Sequence, residues 1–120
     1  MTITKQEVFD RALSHLRKQG EPAIFVDEMP RCRYRTPEGL KCAIGALISD
    51  ENYYLDLEGW PASAKRVYEL FEGTQQDAEF YADIQAELHD DIYRYLDFPG
   101  RLEIAAESFA NRYKLEYKPC

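Results

Sequence analysis

The part of the chain that decides the fold is residues 32–51, which read CRYRTPEGLKCAIGALISDE. It contains two of the three cysteines, a Pro-Glu-Gly turn and several cations. Alternating side chains before the turn are typical of a β-strand, and the small residues after it are typical of a closely packed helical turn. The segment therefore predicts a β-hairpin that runs directly into a short turn of helix.

The length of the hairpin loop sets which residues face each other. A three-residue loop at positions 37–39 places Arg35 opposite Lys41 and gives Gly39 the left-handed conformation that such loops favour. A two-residue loop would pair charged residues with apolar ones. A five-residue loop would place the two cysteines opposite each other. We predict the three-residue loop, because it separates polar from apolar side chains.

In this register the hairpin has an apolar face and a cationic face, because side chains along a strand alternate. The apolar face consists of Cys32, Tyr34, Leu40, Cys42 and Ile44. The cationic face consists of Arg31, Arg33, Arg35 and Lys41. Two cations directly opposite each other cost up to about 1 kcal/mol unless an anion lies between them. If that anion is not an Asp or Glu of the chain itself, the cationic face is predicted to bind an anionic ligand or a partner.

Cysteine and histidine usage argues against a metal centre. Nine residues separate Cys32 from Cys42, the chain has no Cys-x-x-Cys pair, and it has two histidines. An odd number of cysteines suits free thiols in a core rather than a disulfide framework. No metal and no cofactor are predicted. Cys42 precedes the predicted helical turn, so it is a candidate nucleophile.

A second group of polar residues lies in residues 84–95, IQAELHDDIYRY. On a helix Gln85 and His89 share one face, because they are four residues apart. His89 with Asp90 is a candidate acid–base or metal group if the fold brings further partners to it. Otherwise it is a surface histidine beside carboxylates.

Charge is unevenly distributed along the chain, whose net charge is −7. Residues 1–41 carry 8 Lys/Arg and 6 Asp/Glu, net +2, whereas residues 42–120 carry 7 and 16, net −9. An acidic body repels phosphate backbones and suits a basic protein surface, so general nucleic-acid binding is not expected. No apolar run approaches the roughly 18 residues that span a bilayer, and the N-terminus lacks a signal-peptide core, which predicts a cytoplasmic protein without membrane contact.

The whole pattern predicts one α+β domain over residues 1–120, with about four helices packed on a small antiparallel sheet built around the hairpin. A capping box of Thr4 and Glu7 begins the first helix, and Gly20 ends it. Three further helices are predicted to begin near Pro61, Thr74 and Pro99. Residues 113–118, YKLEYK, alternate like a short strand that joins the sheet.

Residues 32–59 resemble a block found in small proteins of tailed phages and prophages. That block reads Cys-x-Tyr-Arg, a short Pro/Gly turn, Leu-Lys-Cys-Ala-x-Gly, Leu-Ile, Asp, Tyr and Glu-Gly. The matching residues are Cys32, Tyr34, Arg35, Gly39, Leu40, Lys41, Cys42, Ala43, Gly45, Leu47, Ile48, Asp50, Tyr53 or Tyr54, Glu58 and Gly59. A later Leu-Gln and His-Asp pattern is similar to Ile84, Gln85, His89 and Asp90. Ser49 stands where such sequences often have Pro.

The resemblance implies a phage origin and no particular chemistry, although proteins of this kind commonly act in phage–host conflict. Besides the cationic face, the candidate site residues are Cys42, Glu58, Gln85, His89 and Asp90.

Three functions are compatible with these features. The first is a small acidic protein that binds and inhibits a host factor, such as an anti-CRISPR-like or other anti-defence inhibitor that competes for a cationic nucleic-acid channel. The second is a binder of a nucleotide or other small anion on the cationic face. The third is an enzyme that uses Cys42 or His89, which ranks last because no recognised catalytic arrangement is present.

Overall fold

The computed structural model describes residues 2–25 and 31–119, without the side chains of Phe25 and Arg31. The α-helices within these residues are α1 (Lys5–Gln19), α2 (Lys65–Tyr68), α3 (Ala78–Gln85) and α4 (Phe98–Tyr113). A π turn, Ala86–Asp90, extends α3. Turns of 3₁₀ helix occupy Gly45–Leu47, Leu55–Leu57, Glu69–Phe71 and Gln75–Asp77. None of the helices in the described ranges has both the length and the apolar character needed to cross a bilayer.

The predicted α+β fold class is wrong, because the described chain is helical, with 54% helix and 4% strand. The strands β1 (Ile24–Phe25) and β2 (Arg31–Cys32) form an antiparallel ladder of two residue pairs. The hairpin itself is reduced to a single bridge between Arg35 and Lys41. Such short pairings do not make a layer on which helices can pack.

Side chains explain why the sheet does not extend. The carboxylate of Glu58 accepts the N–H groups of Tyr34 and Arg35, and the side chain of Gln19 bonds to both the N–H and the C=O of Lys41. Buried backbone groups must find a partner, and here carboxylate and amide groups take the place of a neighbouring strand. The alternation in the sequence correctly predicts extended backbone. It does not show that side chains, rather than another strand, form the hydrogen bonds of that backbone.

The C-terminal segment 114–119 is also not a strand, contrary to the prediction. It lies along α1, where Gln6 accepts the N–H of Glu116 at 2.9 Å and donates to its C=O at 3.0 Å. Arg17 donates to the C=O of Lys118 at 2.8 Å. A helix side chain therefore pairs with the tail in the way a strand backbone would.

The register of the hairpin and the start of α1 confirm two local predictions. The bridge pairs Arg35 with Lys41, and Gly39 has a φ of +92°, so the loop has three residues as expected. At α1, Thr4 and Glu7 form the reciprocal capping box and Gly20 ends the helix with a φ of +75°. Short-range signals of this kind depend on few residues and are satisfied locally.

The core lies between α1, α3 and α4 and is rich in aromatic rings. Phe9 of α1 stacks on Phe109 of α4 with ring centroids 5.9 Å apart, and Phe80 of α3 packs against Phe109 at 5.5 Å. The segment after the hairpin packs under the same core, and Gly45 fits there because it has no side chain. A Cβ at Gly45 would lie 2.0 Å from the carbonyl oxygen of Tyr34. The turn after the hairpin thus packs tightly against the backbone of Tyr34, and the bond from the N–H of Ile44 to Gln85 holds it at the end of α3.

Candidate functional site

A cavity of about 330 Å³ opens where β2 and the hairpin meet the segment around residue 60 and the end of α3. Its lining residues are Cys32, Arg33, Tyr34, Glu58, Gly59, Trp60, Pro61, Ala62, Ala82, Gln85 and Asp90. Among these side chains are two carboxylates and one guanidinium, so the lining carries a net charge of −1. The size is at the lower end of the roughly 300–1,000 Å³ range of small-ligand sites.

The carboxylate of Asp90 lines this cavity in a fixed orientation. Its Oδ1 accepts a hydrogen bond from Gln85 Nε2 at 2.8 Å and one from His89 Nδ1 at 2.9 Å. The Asp90 side chain is 41% exposed, whereas His89 is fully buried and Gln85 nearly so. Two buried donors thus hold one partly exposed acceptor, an arrangement that restricts where the carboxylate can point.

Gln85 and His89 are themselves held by backbone groups. Gln85 Oε1 accepts the N–H of Ile44 at 2.9 Å, and His89 Nε2 accepts the N–H of Ala23 at 2.8 Å. A ring nitrogen that accepts a hydrogen bond carries no proton, so the neutral imidazole has its proton on Nδ1 and donates it to Asp90. Two chains of hydrogen bonds therefore end at Asp90 Oδ1. One begins at the N–H of Ile44 and passes through Gln85, and the other begins at the N–H of Ala23 and passes through His89.

The π turn makes this arrangement possible. The N–H of Asp91 bonds to the C=O of Ala86 at 2.7 Å, five residues earlier. In a regular α-helix Gln85 and Asp90 would lie about 140° apart around the axis. The wider turn brings residues five apart onto one face, which permits the contact between Gln85 and Asp90. Turns of this type often occur at functional sites.

Glu58 stands on another wall of the cavity and is used structurally. Its oxygens accept the N–H groups of Tyr34 at 2.9 Å and Arg35 at 3.1 Å, and the hydroxyl of Tyr53 at 2.7 Å. Arg33 Nε lies 3.9 Å from the same carboxylate, and both side chains are largely buried. Burial, followed by the hydrogen bond to Glu58, raises the pKa of Tyr53 to about 12. Glu58 therefore ties the hairpin to the segment that follows it.

The anion next to the cationic face belongs to the chain itself. The carboxylate of Asp50 lies 2.8 Å from Arg35 Nη1 and 3.8 Å from Lys41 Nζ, so it bridges the two opposed cations. Arg33 pairs with Glu58 as described above, and the side chain of Arg31 lies outside the described residues. Ligand binding on this face stays a prediction, and a ligand there would have to displace Asp50.

The two cysteines of the hairpin hold their protons. Cys42 is fully buried, its Sγ accepts the N–H of Gly45 at 3.2 Å, and burial raises the pKa of its thiol. Burial, followed by the charge of Asp90, raises the pKa of Cys32 to about 12. A thiol must ionise to attack or to bind a metal, so neither cysteine is set up as a nucleophile at neutral pH. His89 is also buried with both ring nitrogens engaged, so neither of the residues that the enzyme hypothesis names, Cys42 and His89, is exposed to a substrate.

One cluster has the composition of a metal site but not its chemistry. Ligand atoms of Cys32, His89 and Asp90 lie within 4.8 Å of one another. A metal would need the lone pair of His89 Nδ1, yet that nitrogen keeps its proton because Nε2 accepts the N–H of Ala23. The Cys32 thiol is protonated as well. These residues therefore fit a hydrogen-bonded network better than a metal.

The fold gathers some of the predicted site residues and separates others. Arg33, Glu58, Gln85 and Asp90 line the cavity, and His89 lies directly behind Asp90. Arg35 and Lys41 instead pair with Asp50. Cys32, Tyr34 and Trp60 also line the cavity, and none of the three is a predicted site residue. The single tryptophan of the chain, beside Gly59 and Pro61, was the available signal.

The segment leading to Trp60 forms the second notable surface, which we call the acidic loop, residues 49–60. It contains four Asp or Glu residues and no Lys or Arg. Three large side chains are exposed in it, Tyr54 at 43%, Leu55 at 66% and Trp60 at 44%. Its exposed acids Glu51 and Asp56 form no ion pair within the described part of the chain. The Trp60 ring is held by the guanidinium of Arg66, 4.0 Å from its centroid.

No protein-family model matches the chain, and no curated protein or solved structure shows significant similarity to it. The function is therefore argued from the site itself.

Proposed function

We propose that this protein works by binding a partner protein that has a cationic surface, and that the acidic loop is its contact surface. The observation that carries the proposal is the alternation of exposed Tyr54, Leu55 and Trp60 with acidic residues and no basic one. Interfaces use a few aromatic or large apolar anchors surrounded by polar groups. The loop has both parts of that pattern in one continuous segment.

Electrostatics supports a basic partner rather than a nucleic acid. Residues 42–120 carry a net charge of −9, which includes Glu51 and Asp56 beside the apolar anchors, and neither acid forms an ion pair within the described residues. Complementary charge speeds association and excludes acidic surfaces. The same charge repels phosphate backbones.

The nature of the partner follows from the resemblance to phage proteins. We propose a host protein that binds nucleic acid, such as a component of a defence system, because a cationic nucleic-acid channel is complementary to the acidic loop. Occupation of that channel would inhibit the host protein by competition. The inhibition requires no catalytic group, which agrees with the protonated thiols and the enclosed His89.

The test is capture of host proteins by the tagged chain at about 50 mM and 300 mM salt, because contacts between exposed charges weaken as salt rises. Loop variants Leu55→Ser and Asp56→Lys are compared with Ile104→Ser and Glu107→Lys on α4. Ile104 is a matched control because its side chain is 66% exposed, as is that of Leu55.

We expect one stoichiometric partner that the wild type and both α4 variants retain at low salt and that both loop variants lose. The purified partner should then lose nucleic-acid binding when the wild-type protein is added. Capture that is equal for all variants, or that does not depend on salt, would contradict the proposal.

A second candidate is an anion site at Arg35. Its Nε is buried and has no hydrogen-bond partner among the described residues. A phosphate or carboxylate that displaced Asp50 could take its place on Arg35 Nη1 and Lys41 Nζ. The test is a melting-temperature panel with phosphate, ATP and GTP, in which Asp50→Asn should enlarge any stabilisation and Arg35→Lys should remove it. A flat panel for both wild type and Asp50→Asn would end this hypothesis.

A further inference from the structure

We propose that the cavity beside the acidic loop receives the guanidinium group of an arginine side chain of the partner protein, with Asp90 as its main acceptor. This inference rests on the proposed function, because it names the residue by which the partner is anchored. The cavity is about 330 Å³ in volume, and Trp60 belongs both to its lining and to the acidic loop. A protein seated on the loop therefore has its side chains at the mouth of the cavity.

Asp90 has the features of a binding group. Gln85 and His89 both donate to Oδ1 and neither donates to Oδ2, while the carboxylate is 41% exposed and lines the cavity. A carboxylate that is already fixed by hydrogen bonds before a ligand binds loses less conformational freedom on binding. The fold thus places two buried polar side chains behind this single, partly exposed acid.

The remaining lining selects an organic cation. Arg33 is paired with Glu58, so the net charge of the lining is negative. Trp60, Pro61, Ala62 and Ala82 supply apolar surface for a hydrocarbon stem. A bare metal ion is disfavoured because Cys32 keeps its thiol proton and His89 Nδ1 is occupied by its hydrogen bond to Asp90.

Arginine fits this lining better than lysine. Its guanidinium carries five donors and is less strongly hydrated than an ammonium group, so it can donate to Oδ2 of Asp90 and still enter a partly apolar cavity. An ammonium group is a strongly hydrated point charge, so it is less suited to such a cavity. The volume leaves room for an arginine side chain, and the negative net charge of the lining disfavours the phosphate of a nucleotide.

The experiment is a titration of the full chain with N-acetyl-arginine methylamide, followed by amide chemical shifts in ¹⁵N spectra and by fluorescence of the single tryptophan. The neutral probe is N-acetyl-citrulline methylamide, which keeps the shape but lacks the charge. We expect saturable binding of the arginine probe, with shifts at the cavity residues, and at least tenfold weaker binding of the citrulline probe. Equal binding of both probes, or no saturable binding, would overturn the inference.

Variants show whether the cavity is responsible. Asp90→Asn should weaken the arginine probe at least tenfold, and Ala82→Leu should do so by filling the cavity without changing a charge. Glu107→Gln, at an exposed acid on α4, should leave probe binding unchanged. The inference is wrong if Asp90→Asn and Ala82→Leu, checked as folded by their spectra, bind the probe like the wild type. Tighter binding of free arginine than of the capped probe would identify an amino-acid ligand instead and also reject the inference.

Failure of this inference is distinguishable from failure of the proposed function. Probe titration involves only the cavity, whereas partner capture compares variants of the acidic loop. Loop-dependent capture without probe binding would remove the arginine anchor and leave the partner-binding proposal intact. Probe binding without loop-dependent capture would keep the cavity as an arginine site and remove the partner-binding proposal.

Discussion

Glu58 accepts the backbone N–H of Tyr34 at 2.9 Å, although 24 positions of sequence separate the two residues. The same carboxylate accepts the N–H of Arg35 and the hydroxyl of Tyr53. A single side chain thus satisfies the edge of the hairpin where a sheet would have needed another strand. The contact also joins the acidic loop to the cavity wall.

We expect Glu58→Gln to lower the free energy of unfolding by about 2–3 kcal/mol. The carboxylate only accepts hydrogen bonds, whereas the NH₂ group of glutamine would point its own donors at the donors that Glu58 accepts. Urea unfolding measures this change. Asp56→Asn, an exposed acid two positions away, is the control and should change stability by less than about 0.5 kcal/mol. Equal effects of the two substitutions would show that the Glu58 contacts do not stabilise the fold.

Gly45→Ala should destabilise the protein by about 1–3 kcal/mol, because the new methyl group would overlap the carbonyl of Tyr34 and force the backbones apart. Thermal and urea unfolding would both show the loss. Gly39→Asn is the matched control, since its site is open and Asn tolerates a positive φ. A Gly45→Ala protein as stable as Gly39→Asn would contradict the close packing.

Stability should fall as pH rises above about 8.5, the ordinary pKa of a thiol in an unfolded chain. Burial raises the pKa of Cys42, and the pKa of Cys32 rises to about 12, so the folded state keeps protons that the unfolded state releases. The unfolded state then binds fewer protons, and each thiol adds a slope of up to about 1.4 kcal/mol per pH unit.

Urea unfolding between pH 7.5 and 9.5, under reducing conditions, measures this slope. Cys42→Ala should show a shallower decline than the wild type, whatever its stability at pH 7.5. Parallel curves for the two proteins would rule out a contribution from this thiol.

Gln6→Ala should release the C-terminal segment while leaving the core folded. Loss of the two bonds to Glu116 should raise hydrogen exchange of the Glu116 amide at least tenfold, while the amide of Leu115, which bonds to Ala110, stays protected. Gln76→Ala replaces an exposed glutamine and serves as the control. Unchanged exchange at Glu116 would show that Gln6 does not hold the tail.

Signals that act over a few residues could be predicted from the sequence. The capping box of Thr4 and Glu7 and the three-residue loop ending at Gly39 depend on neighbouring groups, and both are present. The predicted sheet failed because periodicity reports which face is buried but not which group satisfies the backbone. Here the side chains of Gln6, Gln19 and Glu58, which are distant in sequence, bond to the extended backbone in place of a neighbouring strand.

The candidate site could be predicted only in part. Gln85, His89 and Asp90 were recognised as polar neighbours on a helix, yet their geometry depends on a π turn that a spacing of 3.6 residues does not anticipate. Arg35 and Lys41 were correctly paired with each other, but the partner Asp50 approaches from a segment whose path the sequence did not reveal.

The π turn also couples the shape of the helix to what occupies the cavity. In a regular helix the N–H of Asp91 would bond to Glu87, whereas here it bonds to Ala86. Return to regular bonding would rotate Asp90 away from Gln85, so a ligand held by Asp90 favours the wide turn by its own binding free energy. The choice of hydrogen-bond acceptor by the N–H of Asp91 and the occupancy of the cavity are thus linked equilibria. A change in one of them must shift the other.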